Sequence, residues 1–534
     1  MKLKNIYQIA ILCGLLVTSA ACGDFLEEYS QNQAYVENVT NLDELLIGEG
    51  YFEGGLTSQY FSNDQASAYW TNISNTASWF FPYIHLMDDD VEEFVNGIPA
   101  ETSNYIRLNA YNIYRWQPDP FRNVENNEFI DKNWAEMWSR IAAMNSIIYQ
   151  LTQIDIDKDE EATALRVEGE ARFLRAQFYF WMANIYGQPY CKATAATDPC
   201  IPLKTSEDIE DIYFSRATAE KVYGQMVEDL TRATECLRGV RQITKYRTNQ
   251  AAAFTLLSRV HLYMENYEAA VAAADSALTL GYKLEDMRSF QEGDKVVELK
   301  STETIFTHGL YLMHFLHPDA LQGSVPGMGW GVYCSGYTSS MDLIGSYDEH
   351  DLRLKTFFTQ RPKATVTSYR CVKSADWANE VSDKFAIRLP EVYLNKAEAL
   401  ACLRRNEEAR TTIDELRALR FEKANFKPLD KSGDELIDAI RDERRRELCF
   451  EGHRWFDLRR YAVNSVHPFE KEIRHKSILY TNKTVTTEGE YVLQPYSQDK
   501  AAYVLPIPDD AIDFNKGNLS NEVRPARTLQ SINN

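Results

Sequence analysis

The stretch DAIRDERRRELCFEGHRWFDLRRY, residues 438–461, decides the fold of this chain. Apolar residues recur among its charges at helical spacing, and Gly452 stands where a first helix would end and a second begin. Charge pairs at this spacing usually hold helices together, so the stretch predicts scaffold rather than a ligand site. The expected pairs are Glu443 with Arg446, Arg444 with Glu447, and Asp457 with Arg460.

The same stretch also resembles a known family. The run ER-x-x-EL-x-FEG-x-RW-x-DL-x-R at residues 443–460 resembles the C-terminal signature of the SusD/RagB family, which are surface lipoproteins of Bacteroidetes that capture nutrients. Other segments resemble further patterns of that family. They are EARFLRAQFYF at 170–180, YGQP at 186–189, ETIF at 303–306 and LPIP at 505–508.

Apolar periodicity predicts several helices in the body of the chain. Helix-ending signals support two of them, since Gly187 and Pro189 follow one helix and a turn at 265–266 divides another. Alanine at helical spacing after that turn predicts a closely packed pair. The predicted helices are 134–145, 161–186, 218–238, 249–280, 388–400 and 406–420, with a short one at 41–48.

The resemblance implies a mainly α fold. It would be a single SusD-like domain over residues 22–534, built from four tetratricopeptide-like helix pairs and a loop-rich ligand-binding subdomain. Inserts at about 51–133 and 285–384 would carry ligand specificity, and 301–306 would be a strand entering the core. The LPIP tail would pack back on the body.

The N-terminus has the features of a lipoprotein signal. A basic start at 1–4 and an apolar run at 9–17 predict a signal peptide over 1–21, too short to span a bilayer in a mature protein. Ser19-Ala20-Ala21-Cys22 resembles a lipobox that would lead to lipidation of Cys22, although a serine stands where a large aliphatic residue is usual. An ordinary cleavage site beside an incidental cysteine is the alternative. The acidic start at 23–28 resembles a signal for the outer cell surface.

Composition narrows the function classes. The 534 residues carry a net charge of −21, which argues against nucleic acid or anionic lipid as a partner. Aromatic residues make up 12% of the chain, with 31 tyrosines, and such residues stack on flat, weakly polar ligands. Cys191 and Cys200 bracket a short loop, and the sequence leaves open whether they form a disulfide or stay as thiols.

The sequence lacks the common motifs of catalysis and cofactor binding. GxxxxGK[ST], HExxH and GxSxG are absent from the sequence, and we predict no cofactor and no metal. His314 and His317 lack a third ligand nearby. The dense acidic cluster Asp88–Glu93 has three interpretations: a calcium site, the paired acids of a glycoside hydrolase, or a structural segment. The resemblance favours the structural one.

Loop aromatics are the predicted ligand contacts. SusD-like proteins bind glycans with an arc of aromatics from an early loop and from the insert before the C-terminal helices, and core packing is the alternative for each residue carried over. By region, the matching residues are Trp70, Trp79, Trp330, Tyr333 and Tyr337.

The function that the resemblance implies is capture without catalysis. A lipid-anchored protein of the outer membrane, facing the cell surface, would bind an oligosaccharide or polysaccharide and pass it to a SusC-like TonB-dependent transporter, for which it would be a hinged lid. The alternatives are capture of peptides by a member of the same family, a surface glycoside hydrolase, and a purely adhesive role. Which glycan is bound does not follow from the sequence.

Overall fold

The computed structural model describes most of the chain, and the described part is mainly helical. The described residues are 36–52, 83–93, 110–123, 126, 128, 131–208, 212–291, 293–309, 337–360, 368–373, 381, 385–481 and 484–532.

The helices start where the sequence supplies a cap. The side chains of Asn38, Asp131, Thr218 and Asn249 each accept a hydrogen bond from a backbone N–H in the first turn. In chain order the helices are α1 (Val39–Leu45), α2 (Tyr111–Tyr114), α3 (Lys132–Gln150), α4 (Glu161–Tyr186), α5 (Ala219–Cys236), α6 (Gln250–Tyr263), α7 (Tyr267–Leu278), α8 (Met341–Gly345), α9 (Leu352–Phe357), α10 (Leu389–Cys402), α11 (Asn406–Arg417), α12 (Gly433–Leu448), α13 (Arg454–Ala462) and α14 (Asp509–Phe514).

Helix α4 is the central element. Its 26 residues span about 39 Å at 1.5 Å per residue, and from Phe173 to Tyr186 every side chain is buried. A helix that is buried all round must be covered by other elements, and here α3 and α5 pack against it. It ends at Tyr186, as the glycine and proline that follow predict.

Two helical hairpins follow the predicted pattern. Helices α6 and α7 pack together around a turn in which Glu265 has a φ of 57°, and α10 and α11 do so around Arg404, with a φ of 62°. Small side chains at Ala270 and Ala274 are fully buried, which lets the helix axes approach closely. The helices of these pairs are confirmed, and their tetratricopeptide-like character stays a prediction.

The C-terminal turn differs in detail from the prediction. Helix α12 ends at Leu448, before Gly452, and the turn to α13 includes positive φ at both Phe450 (58°) and Gly452 (84°). A Cβ on Gly452 would lie 2.6 Å from the ring of Phe385, so the position requires glycine for space as well as for φ.

The strands are two or three residues long except in the hairpin β7–β8, whose strands have 9 and 10 residues. Among the described residues they form four two-stranded antiparallel sheets, in which β1 pairs with β3, β2 with β6, β4 with β5, and β7 with β8. Strand β2 is fully buried, as predicted for a strand entering the core. Their bounds are β1 (Val91–Glu93), β2 (Thr304–Phe306), β3 (Tyr337–Ser339), β4 (Phe358–Gln360), β5 (Tyr369–Cys371), β6 (Ile387–Arg388), β7 (Ile473–Thr481) and β8 (Thr484–Leu493).

The tail packs on the body, as predicted. Leu505 and Ile507 of the LPIP segment are buried, and the backbone N–H of Leu505 donates to the carbonyl of Ile185 in α4. Within the described residues, no helix combines the length and the apolar character needed to cross a bilayer.

Candidate functional site

Two described residues that precede the segments with the predicted ligand aromatics, Phe52 and His308, lie side by side. Residues 53–82, which contain Trp70 and Trp79, follow Phe52, and residues 310–336 follow His308 and Gly309. The rings of Phe52 and His308 meet edge to face with centroids 4.8 Å apart. The fold therefore brings together the starting points of two segments that are far apart in sequence.

The base of this junction is firmly packed. His308 Nε2 lies 2.7 Å from the side-chain oxygen of Gln177 in α4, and burial, together with the charge of Arg140, lowers its pKa to about 3. A neutral, buried histidine cannot serve as an exposed base here. The guanidinium of Arg140 also lies 4.2 Å from the ring centroid of Phe52. Rigid anchoring of this kind is what a binding loop requires of its scaffold.

A second junction joins the residue before segment 94–109 to the residue after segment 310–336. Strand β1 ends at Glu93, before residues 94–109, and β3 begins at Tyr337, directly after residues 310–336. Glu93 and Tyr337 are partners in the β1–β3 ladder. Sequence reasoning missed both junctions, because pairing between distant segments leaves no local signal in one sequence.

The predicted ligand residues divide into two groups. Trp70, Trp79, Trp330 and Tyr333 lie outside the described residues, as do Cys22 and the histidines at 314 and 317. Tyr337 is described and is completely buried in β3, with its ring centroid 5.1 Å from that of Tyr114. This placement matches core packing, the alternative that the sequence left open, rather than an exposed stacking surface.

Two aspartates of the acidic cluster, Asp89 and Asp90, form ion pairs with basic side chains. Asp89 accepts hydrogen bonds from Arg454 Nε and Nη2 at 2.7 and 2.8 Å and from Lys471 Nζ at 2.6 Å. Asp90 accepts one from Arg445 Nε at 2.7 Å. Three cationic side chains thus occupy the positions around these carboxylates, which supports the structural interpretation.

Burial and neighbouring charges shift the pKa values of Asp88 and Asp89 in opposite directions. Burial alone would raise the pKa of Asp89, but the charges of Arg454 and Arg445 outweigh it and hold that pKa well below its usual range. Burial and the charges of Asp90 and Asp89 raise the pKa of Asp88 well above its usual range. Their oxygens are close enough to share an ion, lying within 4.8 Å of one another. Arg454, Arg445 and Lys471 nevertheless already supply positive charge to Asp89 and Asp90, and Arg445 and Lys471 are shared with Asp342.

Burial of the carboxylates argues against the glycosidase interpretation of Asp88–Glu93. Asp88 and Glu93 are buried, with 1% and 2% of their surface exposed. Glu93 is also held in place, since Oε1 accepts from Arg115 Nη2 at 2.6 Å and Oε2 from the backbone N–H of Ile478 at 2.8 Å. The region links the loops around β1 to the C-terminal hairpin β7–β8.

The C-terminal signature forms a buried ionic network. Glu447, at the end of α12, is bound by Arg353, Arg388 and Arg420, whose nitrogens lie 3.0–3.4 Å from its carboxylate oxygens. Arg388 and Arg420 also share Glu303, at 2.9 and 2.6 Å. These groups are fully buried and come from distant parts of the chain. The scaffold interpretation of the signature is therefore supported.

One predicted pair within the signature is wrong. Arg446 does bind Glu443 and Arg460 does bind Asp457, each at 2.8 Å. Arg444, however, bonds Asp457 across the turn instead of its predicted partner Glu447. Local spacing suggested the latter pair, but three other arginines already occupy that carboxylate.

A similar network fixes the centre of α4. Arg175 donates from Nε and Nη2 to Asp229 of α5 at 2.9 and 2.5 Å, and Arg172 bonds both Glu168 and Asp229. These bonds hold α4 against α5. Cys191 and Cys200 are free thiols in the structure, which answers the question that the sequence left open.

Comparison with known proteins identifies the family. A model described as SusD family matches residues 328–523, and one described as starch-binding associating with outer membrane matches residues 56–262. The chain belongs to the SusD/RagB family. This SusD/RagB chain is 25% identical over 380 residues to a SusD-like protein from Bacteroides ovatus. That match covers 61% of this chain and 64% of the relative, which is less than two thirds of the relative's length.

Solved structures share the fold. A SusD superfamily protein from Bacteroides vulgatus superposes with a TM-score of 0.65 at 20% identity, covering 92% of this chain and all 100% of that one. A laminarin binding SusD-like protein gives a TM-score of 0.58 at 18% identity, covering 89% and 97%. At such identities the likeness establishes the mainly helical SusD-like fold.

Proposed function

We propose that this chain is a non-catalytic, glycan-binding protein of the outer membrane. It captures an oligosaccharide and delivers it to a SusC-like TonB-dependent transporter. The family supports this, since one matching model is described as starch-binding associating with outer membrane and one structural relative binds laminarin. The observation that carries the proposal is the contact between the rings of Phe52 and His308. These residues precede the two aromatic segments, 53–82 and 310–336, so both segments start from the same part of the fold.

The chemistry of sugars explains why these segments suit capture. A pyranose ring presents C–H groups on one face and hydroxyls at its edge, so indole and phenol faces bind the former while polar side chains bind the latter. We therefore assign ligand contact to Trp70, Trp79, Trp330 and Tyr333. Tyr337 supports them from the core, at the point where the second segment returns to β3.

Anchoring completes the proposal. Lipidation of Cys22 and removal of residues 1–21 leave a lipid-modified cysteine as the first residue. The several acyl chains of a lipoprotein are needed because a single chain binds membranes weakly. The protein then lies at the outer surface of the membrane beside its transporter. Mass spectrometry of the mature N-terminus tests the anchor, and an unmodified Cys22 would contradict it.

A binding screen tests the capture function. The chain from Gly23 onward is titrated against laminarin, starch, other polysaccharides and peptides, beside Trp70→Ala, Trp79→Ala and Trp330→Ala. We expect one glycan class to bind and at least one tryptophan variant to weaken it about tenfold or more, since stacked aromatics dominate such contacts. Phe514→Ala is the matched control, because this aromatic is 73% exposed and lies in α14.

Other outcomes separate the alternatives. Binding of peptides alone would point to the peptide-capturing branch of the family. New reducing ends after incubation with the bound glycan would show hydrolysis and contradict a non-catalytic role. Co-purification of a TonB-dependent transporter from native membranes tests delivery, and a protein purified without one would favour adhesion.

A further inference from the structure

A cavity of about 360 Å³ lies between the C-terminal end of α4 and the C-terminal tail. Its lining includes Tyr186, Arg216, Leu505, Asn521 and Arg524. The described residues that border the aromatic segments do not line it. Its size suits a monosaccharide or a small organic acid.

The charge of Arg216, one of the two arginines that line the cavity, is balanced by carbonyl groups at and near the C-terminal end of α4. Arg216 Nη1 donates to the carbonyls of Tyr186 and Cys200 at 2.8 and 2.6 Å, and Nη2 to that of Ser520 at 3.0 Å. Arg459, behind the cavity, likewise donates to the carbonyls of Asn184 and Gly187. The last carbonyls of a helix carry partial negative charge, which balances a nearby cation.

Arg524 has no comparable balance. It is 8% exposed, and among the described residues its only hydrogen bond runs from Nη1 to the carbonyl of Val504, at 2.5 Å. Its Nε is buried without a partner, and none of the ion pairs among the described residues includes it. The charges of Asp499, which pairs with Arg527, and of Asp119 act on it without forming an ion pair. Burial, together with the charge of Arg527, lowers its pKa to about 9. A buried charge without a counter-ion is costly, so such a site favours an anion.

We propose that this cavity binds the carboxylate of a small organic acid or of an acidic sugar, with Arg524 as its ion-pair partner. A planar guanidinium matches a carboxylate with two parallel hydrogen bonds. Leu505 and its neighbours Val504 and Pro506 provide an apolar wall for the carbon skeleton. One acid, Glu522, also lines the cavity; it is exposed, and its Oε1 accepts a hydrogen bond from Gln188 Nε2 at 2.9 Å.

Two sugars that differ in one group make the test specific. Galacturonate carries a carboxylate where galactose carries a hydroxymethyl group, so calorimetry and thermal melting of the full chain with each isolate the charge. We expect galacturonate to bind and raise the melting temperature while galactose does neither. Acetate and sulfate are further arms: acetate binding without galacturonate binding identifies a small free acid as the ligand, and binding of sulfate alone, with neither carboxylate, contradicts the proposal.

Variants locate the site. Arg524→Gln should weaken galacturonate binding at least tenfold, whereas Arg238→Gln, which removes an exposed charge beyond the far end of α5, should leave it unchanged. Arg524→Gln should also melt at the same or a higher temperature without ligand, because it removes an unbalanced buried charge. A lower melting temperature with no ligand effect in the parent protein would make Arg524 purely structural and overturn the proposal.

One comparison of variants distinguishes failure of the carboxylate site at Arg524 from failure of glycan capture at the aromatic segments. Trp330→Ala should leave the preference for galacturonate over galactose intact, since the proposal assigns the carboxylate to Arg524, which lies in the C-terminal tail. If that variant abolished the preference while Arg524→Gln retained it, the carboxylate would be bound at the aromatic segments and this inference would be wrong.

Discussion

Buried arginines occur both in the ionic network around Glu447, here called the signature network, and in the cavity beside the C-terminal tail, here called the tail cavity. The two places differ in the groups that face the guanidinium. Around Glu447, the side chains of Arg353, Arg388 and Arg420 are fully buried, and each has at least two carboxylate contacts. In the cavity, Arg524 meets one neutral carbonyl.

The difference teaches how to interpret buried charge in this fold. A saturated network has no capacity left for a ligand, and its members hold helix α9, strand β6 and helix α12 together. An unsaturated guanidinium beside open volume retains that capacity. Charge density alone, which is highest in the signature, therefore points away from a binding site here.

The largest expected effect comes from breaking the saturated network. Glu447→Gln leaves three buried arginines facing a neutral amide, and we expect the free energy of unfolding in urea at pH 7 to fall by about 3–5 kcal/mol. Asp442→Asn is the control, since it removes an exposed acid from the same helix. Equal stabilities for the two variants would show that the network contributes nothing.

Acidification should break a neighbouring network. Glu398 is bound by Arg460 and Arg441; burial opposes the shift, but their charges lower its pKa from 4.5 to about 2. A carboxylate with a lowered folded pKa stabilises above its unfolded pKa, and this contribution is lost as pH falls from about 4.5 to about 2. It amounts to about 3 kcal/mol at 1.36 kcal/mol per unit.

The measurement is the free energy of unfolding against pH for the parent protein and for Glu398→Gln. The variant should be the less stable protein at pH 6, and its stability should depend less steeply on pH below 4.5. Parallel curves for the two proteins would assign the acid sensitivity to other groups.

Local signals made much of the fold predictable. Helix α4 has the predicted bounds because Gly187 and Pro189 follow it, and the Glu443–Arg446 pair forms because its partners are one turn apart. The prediction missed the hairpin β7–β8, whose long strands contribute to the C-terminal body.

Long-range contacts were not predictable from one sequence. Spacing joined Arg444 to Glu447, whereas the fold joined it to Asp457 because other elements deliver three arginines to Glu447. The same limit hid the tail cavity, since nothing near Arg524 in sequence reveals that none of the described acids forms an ion pair with it. Aromatic content marked the binding segments by region, yet it could not show that Tyr337 belongs to the core.

The smallest effects compare two adjacent aspartates. Asp89→Asn removes the carboxylate that binds Arg454 and Lys471, and we expect a loss of about 2 kcal/mol. Asp88→Asn should stay within about 1 kcal/mol, because the raised pKa of Asp88 means that its charged form is already disfavoured, and asparagine keeps the oxygen that accepts from the Asp90 N–H. Urea unfolding at pH 7, with and without calcium, measures both. A large stabilisation by calcium that either variant abolished would replace the structural interpretation of this cluster with a metal site.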